Sequence, residues 1–174
     1  MDVASITGTT LADSSSNHND GTLVGFPQNP TAQGKFGQAL VYPGTANVQI
    51  PKLGLDLASG GVNSVSLWFF AHSGRMSNDI LALLPNMPTR YDLWFHNNND
   101  LCINTRRGEC WGIHDTTLLD RWVHVVATFV NGSTSKDNIF VDGKNGNAAC
   151  LTTAGYMPCT AAIGAAATPV ELGG

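Results

Sequence analysis

The sequence predicts an all-β domain of two packed antiparallel sheets, and three observations carry that prediction. Apolar residues fall in short or alternating runs, and no stretch keeps a helical period. Turn residues separate the runs throughout, including Asn131-Gly132, Asp142-Gly143 and Asn145-Gly146. Only 13% of the 174 residues are charged, about half the usual share, and polarity comes instead from Asn, Ser, Thr and Gly, which suits strands and turns over solvated helices.

The elements follow in order. Ala39–Val41 and Val48–Ile50 flank the turn "PGTAN". Ser64–Ala71 is an apolar run of strand length between "SGGVN" and "HSGRMSND". Ile80–Leu84 precedes Arg90–His96, where apolar and polar residues alternate up to the turn "NNND". Leu101–Thr105 and Cys110–Ile113 enclose "TRRG" as a hairpin. Trp122–Val130 is a second long apolar run of strand length, and "NGSTSKD" leads from it to Asn138–Val141. Ala148–Leu151 and Thr160–Gly164 complete the set. Neither a linker nor an internal repeat breaks the chain, so residues 1–174 read as one domain, long enough to bury a core.

Composition also excludes partners. The net charge is -4 and the nine Lys and Arg are scattered, so no basic stripe is offered to nucleic acid. No apolar run approaches membrane-spanning length. The N-terminus has no charged segment leading into an apolar one, so no secretory leader is expected in it. The spacing of the four cysteines does not suit zinc, whose paired ligands stand about two to four residues apart. Each sequential pair brackets a turn, which predicts the disulfides Cys102–Cys110 and Cys150–Cys159 and an oxidising compartment: extracellular, cell-surface or periplasmic. The alternative is four buried thiols.

Three stretches resemble the laminin G-like group of the concanavalin A-like lectin/glucanase superfamily: "GTTLADSSSNHNDGTLVG", "GKFGQALVYPGTANVQIP" and "RWVHVVATFVNGSTSKDNIFVDGK". "VSLWFFAHS" matches a further strand of that group, in the expected order. The resemblance implies a two-sheet antiparallel jelly roll. It also implies that the family's first and last strands are missing. The chain would then be part of a larger protein, or a neighbouring chain would complete the sheet. Such a fold serves many functions, so function must come from the residues.

The polar run Asp13–Gly21 has two readings. Asn and Asp side chains tie their own backbone into turns. Alternatively Asp13, Asn17 and Asn19 hold a structural calcium ion, which takes about six to eight oxygen ligands; some jelly rolls of the group hold one near this loop. A calcium-binding helix–loop–helix is excluded, because Val24 stands where its final Glu would be.

A carboxylate pair for glycoside cleavage is missing: the two glutamates, Glu109 and Glu171, lie far apart in sequence, and neither has an acidic partner two or four residues away. A polysaccharide-cleaving enzyme is therefore disfavoured. His124, within an apolar strand, reads as structural. Recognition has a better candidate. Alternation puts Tyr91, Leu93 and Phe95 on one face of their strand and Asp92, Trp94 and His96 on the other. Cys102 opposite Cys110 would set Leu101 against Trp111 and Ile103 against Glu109, and bring Asn104 and His114 to the Trp94 side. Sugars stack on an aromatic ring while amides, carboxylates and imidazoles take their hydroxyls, so this face predicts carbohydrate binding. Arg106 and Arg107 form a solvated turn, or receive an acidic sugar. The competing reading makes Trp94 a core residue beyond a slip in alternation. A structural or protein-interaction domain, such as part of a surface appendage, is the alternative role.

Overall fold

The computed structural model describes residues 6–56, 58–73, 78–83, 91–96, 99–105, 109–152, 156, 158–159 and 170–173. Sixteen strands form among these residues: β1 Ile6–Thr7, β2 Thr10–Leu11, β3 Gly21–Val24, β4 Thr31–Gln33, β5 Gln38–Leu40, β6 Asn47–Ile50, β7 Val62–Phe70 and β8 Asn78–Leu83, then β9 Tyr91–His96, β10 Asp100–Thr105, β11 Cys110–His114, β12 Trp122–Val130, β13 Asn138–Val141, β14 Lys144–Asn145, β15 Ala149–Leu151 and β16 Val170–Leu172. One sheet has ten strands, in the order β1-β2-β3-β6-β16-β8-β9-β10-β11-β15. A second has four, β14-β13-β12-β7, and β4 and β5 form a separate ribbon. Every pairing within these sheets is antiparallel. The fold is the expected all-β sandwich.

Period-two patterning builds the core. Along β12, Val123, Val125, Ala127 and Phe129 point inward and are almost fully buried, while Trp122, His124, Val126 and Thr128 face out. From the ten-stranded sheet, Val48, Leu93, Leu101, Ile103 and Ile113 meet them. Phe69 of β7 reaches across to Phe95 of β9, with ring centroids 6.1 Å apart. Each such apolar side chain contributes about 1.5–3 kcal/mol on burial.

Two expectations need correction. One strand was not among those expected: β16 pairs with β6 through Val170↔Ile50 and Leu172↔Val48, and with β8 through Val170↔Leu83 and Leu172↔Leu81. Three residues suffice because both edges of the strand find a ladder partner. Residues before Ile6, and the expected strand Thr160–Gly164, lie outside the described residues.

The second correction concerns the hairpin register. Cys102 stands opposite Gly112, not Cys110; Leu101 stands opposite Ile113 and Ile103 opposite Trp111. The shift is two residues, so every side chain keeps its expected face. Both predicted disulfides form, and Cys102–Cys110 runs diagonally across the hairpin with a Cα–Cα distance of 5.1 Å. A glycine is required opposite Cys102. A Cβ at Gly112 would run into the Leu101 carbonyl oxygen and the Cys102 Cα.

Candidate functional site

The outward face of β9, β10 and β11 gathers most of the described residues that the sequence put forward. Backbone register places His96, Asp100 and His114 in one row across the three strands, and Trp94, Cys102 and Gly112 in the next. Alternation does not slip: Leu93 and Phe95 are buried in the core, and Trp94 is half-buried on the other side. The reading of Trp94 as a core residue is thereby corrected. Asp92 shares the Trp94 face but has 0% exposure, so its carboxylate is closed to a ligand from solvent. Asn104 pairs with Asp92 along the backbone. The Asn104 side chain, and Arg106 and Arg107 altogether, lie outside what is described.

Asp100 organises the row, and sequence reading missed it. It is two residues before Cys102 and four before Asn104, so strand parity alone puts it on the Trp94 face. Its side chain is 4% exposed, against 58% for His114. His114 Nδ1–H donates to Asp100 Oδ1 at 2.8 Å, and the Tyr156 hydroxyl donates to Asp100 Oδ2 at 2.8 Å. A buried carboxylate bonded in this way fixes the imidazole's tautomer and orientation, leaving Nε2 to point elsewhere. Burial, then the hydrogen bond to Asp100 and its charge, raise the Tyr156 phenol well above its ordinary pKa, so it stays a donor.

The rings close the arrangement. His96 meets Trp94 edge to face with centroids 4.8 Å apart, and meets Tyr156 at 5.4 Å. His96 Nδ1 is buried without a hydrogen-bond partner among the described residues. Tyr156 had no sequence signal. It arrives from far along the chain, near the second disulfide, whose Cys159 sulfur lies 3.5 Å from the Cys110 carbonyl oxygen.

The opening loop is a complete Asx-type turn. The Asp13 carboxylate accepts from Ser15 N at 2.9 Å, Ser15 Oγ at 2.7 Å and Asn19 N at 2.9 Å. The bonds from Ser15 and then from Asn19 hold the Asp13 carboxyl below its ordinary range. These bonds tie the polar run into a turn. Among the described residues, no three His, Cys, Asp or Glu side chains group as metal ligands. Asn17 donates its backbone N–H to Ser15 Oγ at 3.3 Å.

A second aromatic cluster stands on the outward face of the four-stranded sheet, which the sequence showed only as strands. Trp68 stacks on His124 with centroids 5.0 Å apart, Phe36 meets Trp68 edge on at 5.7 Å, and Lys35 Nζ lies 5.2 Å from the Trp68 ring centre. Phe70 packs edge on against Trp122. His124 is bonded to Ser66 Oγ at 3.0 Å.

Fold and site together describe an antiparallel β-sandwich with an aromatic, carboxylate-backed outer face. Among solved structures the chain is similar to domain 4 of AbnA, a GH43 extracellular arabinanase from Geobacillus stearothermophilus, in complex with arabinotriose. The TM-score is 0.58 and the identity 20%, over 93% of this chain and 77% of that one. No family model and no curated protein sequence matches the chain.

Proposed function

We propose that this chain is a non-catalytic carbohydrate-binding module of a secreted or cell-surface protein, with its ligand on the Trp94 face. One observation carries the reading: a half-buried tryptophan stands on the non-core side of β9, beside His96 and in the row next to the Asp100–His114–Tyr156 network. The ring offers a stacking surface. The exposed imidazole of His114 offers a directional polar group whose orientation is set before a ligand arrives. Support also comes from the similar sandwich of the arabinanase domain, solved with arabinotriose bound, and from the two disulfides.

A glycan array followed by titration of Trp94→Ala tests the reading. Stacking of a nucleic-acid base on an aromatic ring loses about 1–3 kcal/mol on alanine substitution, and a sugar on the same scale would bind about tenfold or more weakly. A blank array with folded protein would remove the proposal. So would a variant that binds normally.

A second reading has its own observation. On the four-stranded sheet Trp68 and Phe70 are each 37% exposed, and Phe36, in the turn between β4 and β5, is 72% exposed beside Trp68. Such a patch fits docking onto another protein surface. A blank array, with Trp68→Ala abolishing association to a parent-protein domain, would favour it.

A further inference from the structure

The strands that end the two sheets are unequal. The ten-stranded sheet stops at β1 and β15, of two and three residues. The four-stranded sheet stops at β14, of two residues, and at β7, of nine. Very short edge strands keep a sandwich from pairing with its neighbours; charges, prolines and bulges do the same. β7 has none of these. Val62–Phe70 carries no charge and no proline, and its nine consecutive pairs with β12 run without a bulge. Its other edge meets no strand among the described residues, so alternate N–H and C=O groups find no ladder partner there.

Burial marks the same edge as open. β7 and β12 aim paired residues at one core. Val65, Leu67 and Phe69 are nevertheless only half-buried, whereas their partners Ala127, Val125 and Val123 have 0% exposure. A missing neighbour on one side of β7 produces that difference. On the outward face Val62 is 56% exposed, and Trp68 and Phe70 are exposed beside it.

An edge of this kind accepts an extended strand, and its side chains specify which. The outward positions are Val62, Ser64, Ser66, Trp68 and Phe70, small at one end and aromatic at the other. A second copy of β7, turned end for end about Ser66, sets Trp68 opposite Ser64 of that copy and Phe70 opposite its Val62. Each ring then lies against a smaller residue, and no like charges meet across the seam. Both copies use the same surface, so the contact closes on itself as a two-fold pair. Nine residues give a seam of about 30 Å. Trp68, Phe70 and Phe36, whose ring flanks Trp68, expose on the order of 300 Å² between them. Counted on both copies and joined to the backbone seam, that reaches the low end of specific interfaces, about 1,200 Å². We propose that β7 is a dimerisation edge, through which two copies of this chain join their four-stranded sheets into one continuous antiparallel sheet. The pair is weak and reversible, and it stands apart from the Trp94 site, which lies on the other sheet.

The test is sedimentation velocity on the whole chain from about 1 µM to about 1 mM, with hydrogen exchange read at both ends of that range. The expected result is an average mass that climbs from one chain toward two, while exchange of the β7 amides slows about tenfold. Ser66→Lys sets like charges opposite each other at the two-fold centre and should stay a single chain throughout. Mixing it with Ser66→Glu should restore the pair. The wild-type exchange profile decides on its own where Ser66→Lys does not fold. A wild type that remains one chain at every concentration would overturn the proposal, as would a dimer that Ser66→Lys leaves intact. So would β7 amides equally protected at every concentration, which would mean that the chain covers its own edge.

Discussion

The sandwich carries a tryptophan beside a histidine on each of its outer faces, and the two pairs are built differently. On the four-stranded sheet, Trp68 and His124 lie nearly parallel, at 26°, with their rings turned toward each other. On β9, Trp94 and His96 meet at 87°. The Trp68 pair is flanked by Ser66, Lys35 and exposed Phe36. The Trp94 pair stands over Asp92 and Asp100, both buried, and over a disulfide whose two cysteines have 0% exposure. One face is therefore held by ring contacts and weak surface hydrogen bonds. The other is pinned by buried carboxyl groups and a covalent bridge. Buried polar groups with directional partners specify one geometry, whereas an open aromatic patch accepts many.

That contrast can be broken at its firmest point. Gly112→Ala should cost about 3 kcal/mol, the scale of an overpacked interior site, because its Cβ has no room against the Leu101 carbonyl. Urea unfolding reads the loss; a variant within error of wild type would mean that β10 and β11 can part easily. Next comes the bridge. Cys102→Ala/Cys110→Ala opens a loop of sequence separation 8, which corresponds to about 2–3 kcal/mol in the chain-entropy model. The same assay measures it, and the other face should supply no single residue of equal effect.

The buried carboxylates sharpen the comparison. Asp100 has two side-chain donors. Asp137, at the start of β13, accepts from Val130 N at 2.6 Å through Oδ1, while its buried Oδ2 has no hydrogen-bond partner among the described residues. Burial pushes its pKa up to about 7, against 3.8 ordinarily. Between those values the folded chain holds more protons than the unfolded one, so stability falls as pH rises from about 4 to about 7 and levels off above. Melting midpoints across that window should drop by several degrees, and Asp137→Asn should flatten the slope; an unchanged slope would trace it to another group. The smallest effect belongs to Ser66→Ala. Losing its surface bond to His124 should cost under about 1 kcal/mol and leave glycan titrations untouched.

Legibility followed the physics of each element. β12 was readable to its ends because its largely apolar run has strand length and stops at the turn Asn131-Gly132. Trp94 could be given its face because Tyr91–His96 alternates. The run Val65–Ala71 could not, since residues on both sides are apolar, and the exposure of Trp68 and Phe70 depends on what covers the sheet. The hairpin register was misread because a cysteine pair limits separation without fixing which residues stand opposite. Asp100 was within reach of parity. Tyr156 was not, because only tertiary folding brings it to a residue 56 positions earlier. β16 is too short to announce itself, and stands only because two strands wait on either side.

That last strand is also a clock. A chain leaving the ribosome delivers β6 and β8 long before β16, and domains fold largely as units during synthesis. Without Val170–Leu172 the strand order of the large sheet divides into two blocks, β1-β2-β3-β6 and β8-β9-β10-β11-β15, each ending in an unpaired edge. Closing them spans a long stretch of chain and is correspondingly slow. A chain stalled or clipped before that point presents two complementary edges to its neighbours, so incomplete copies would be drawn to one another through the slot that β16 fills.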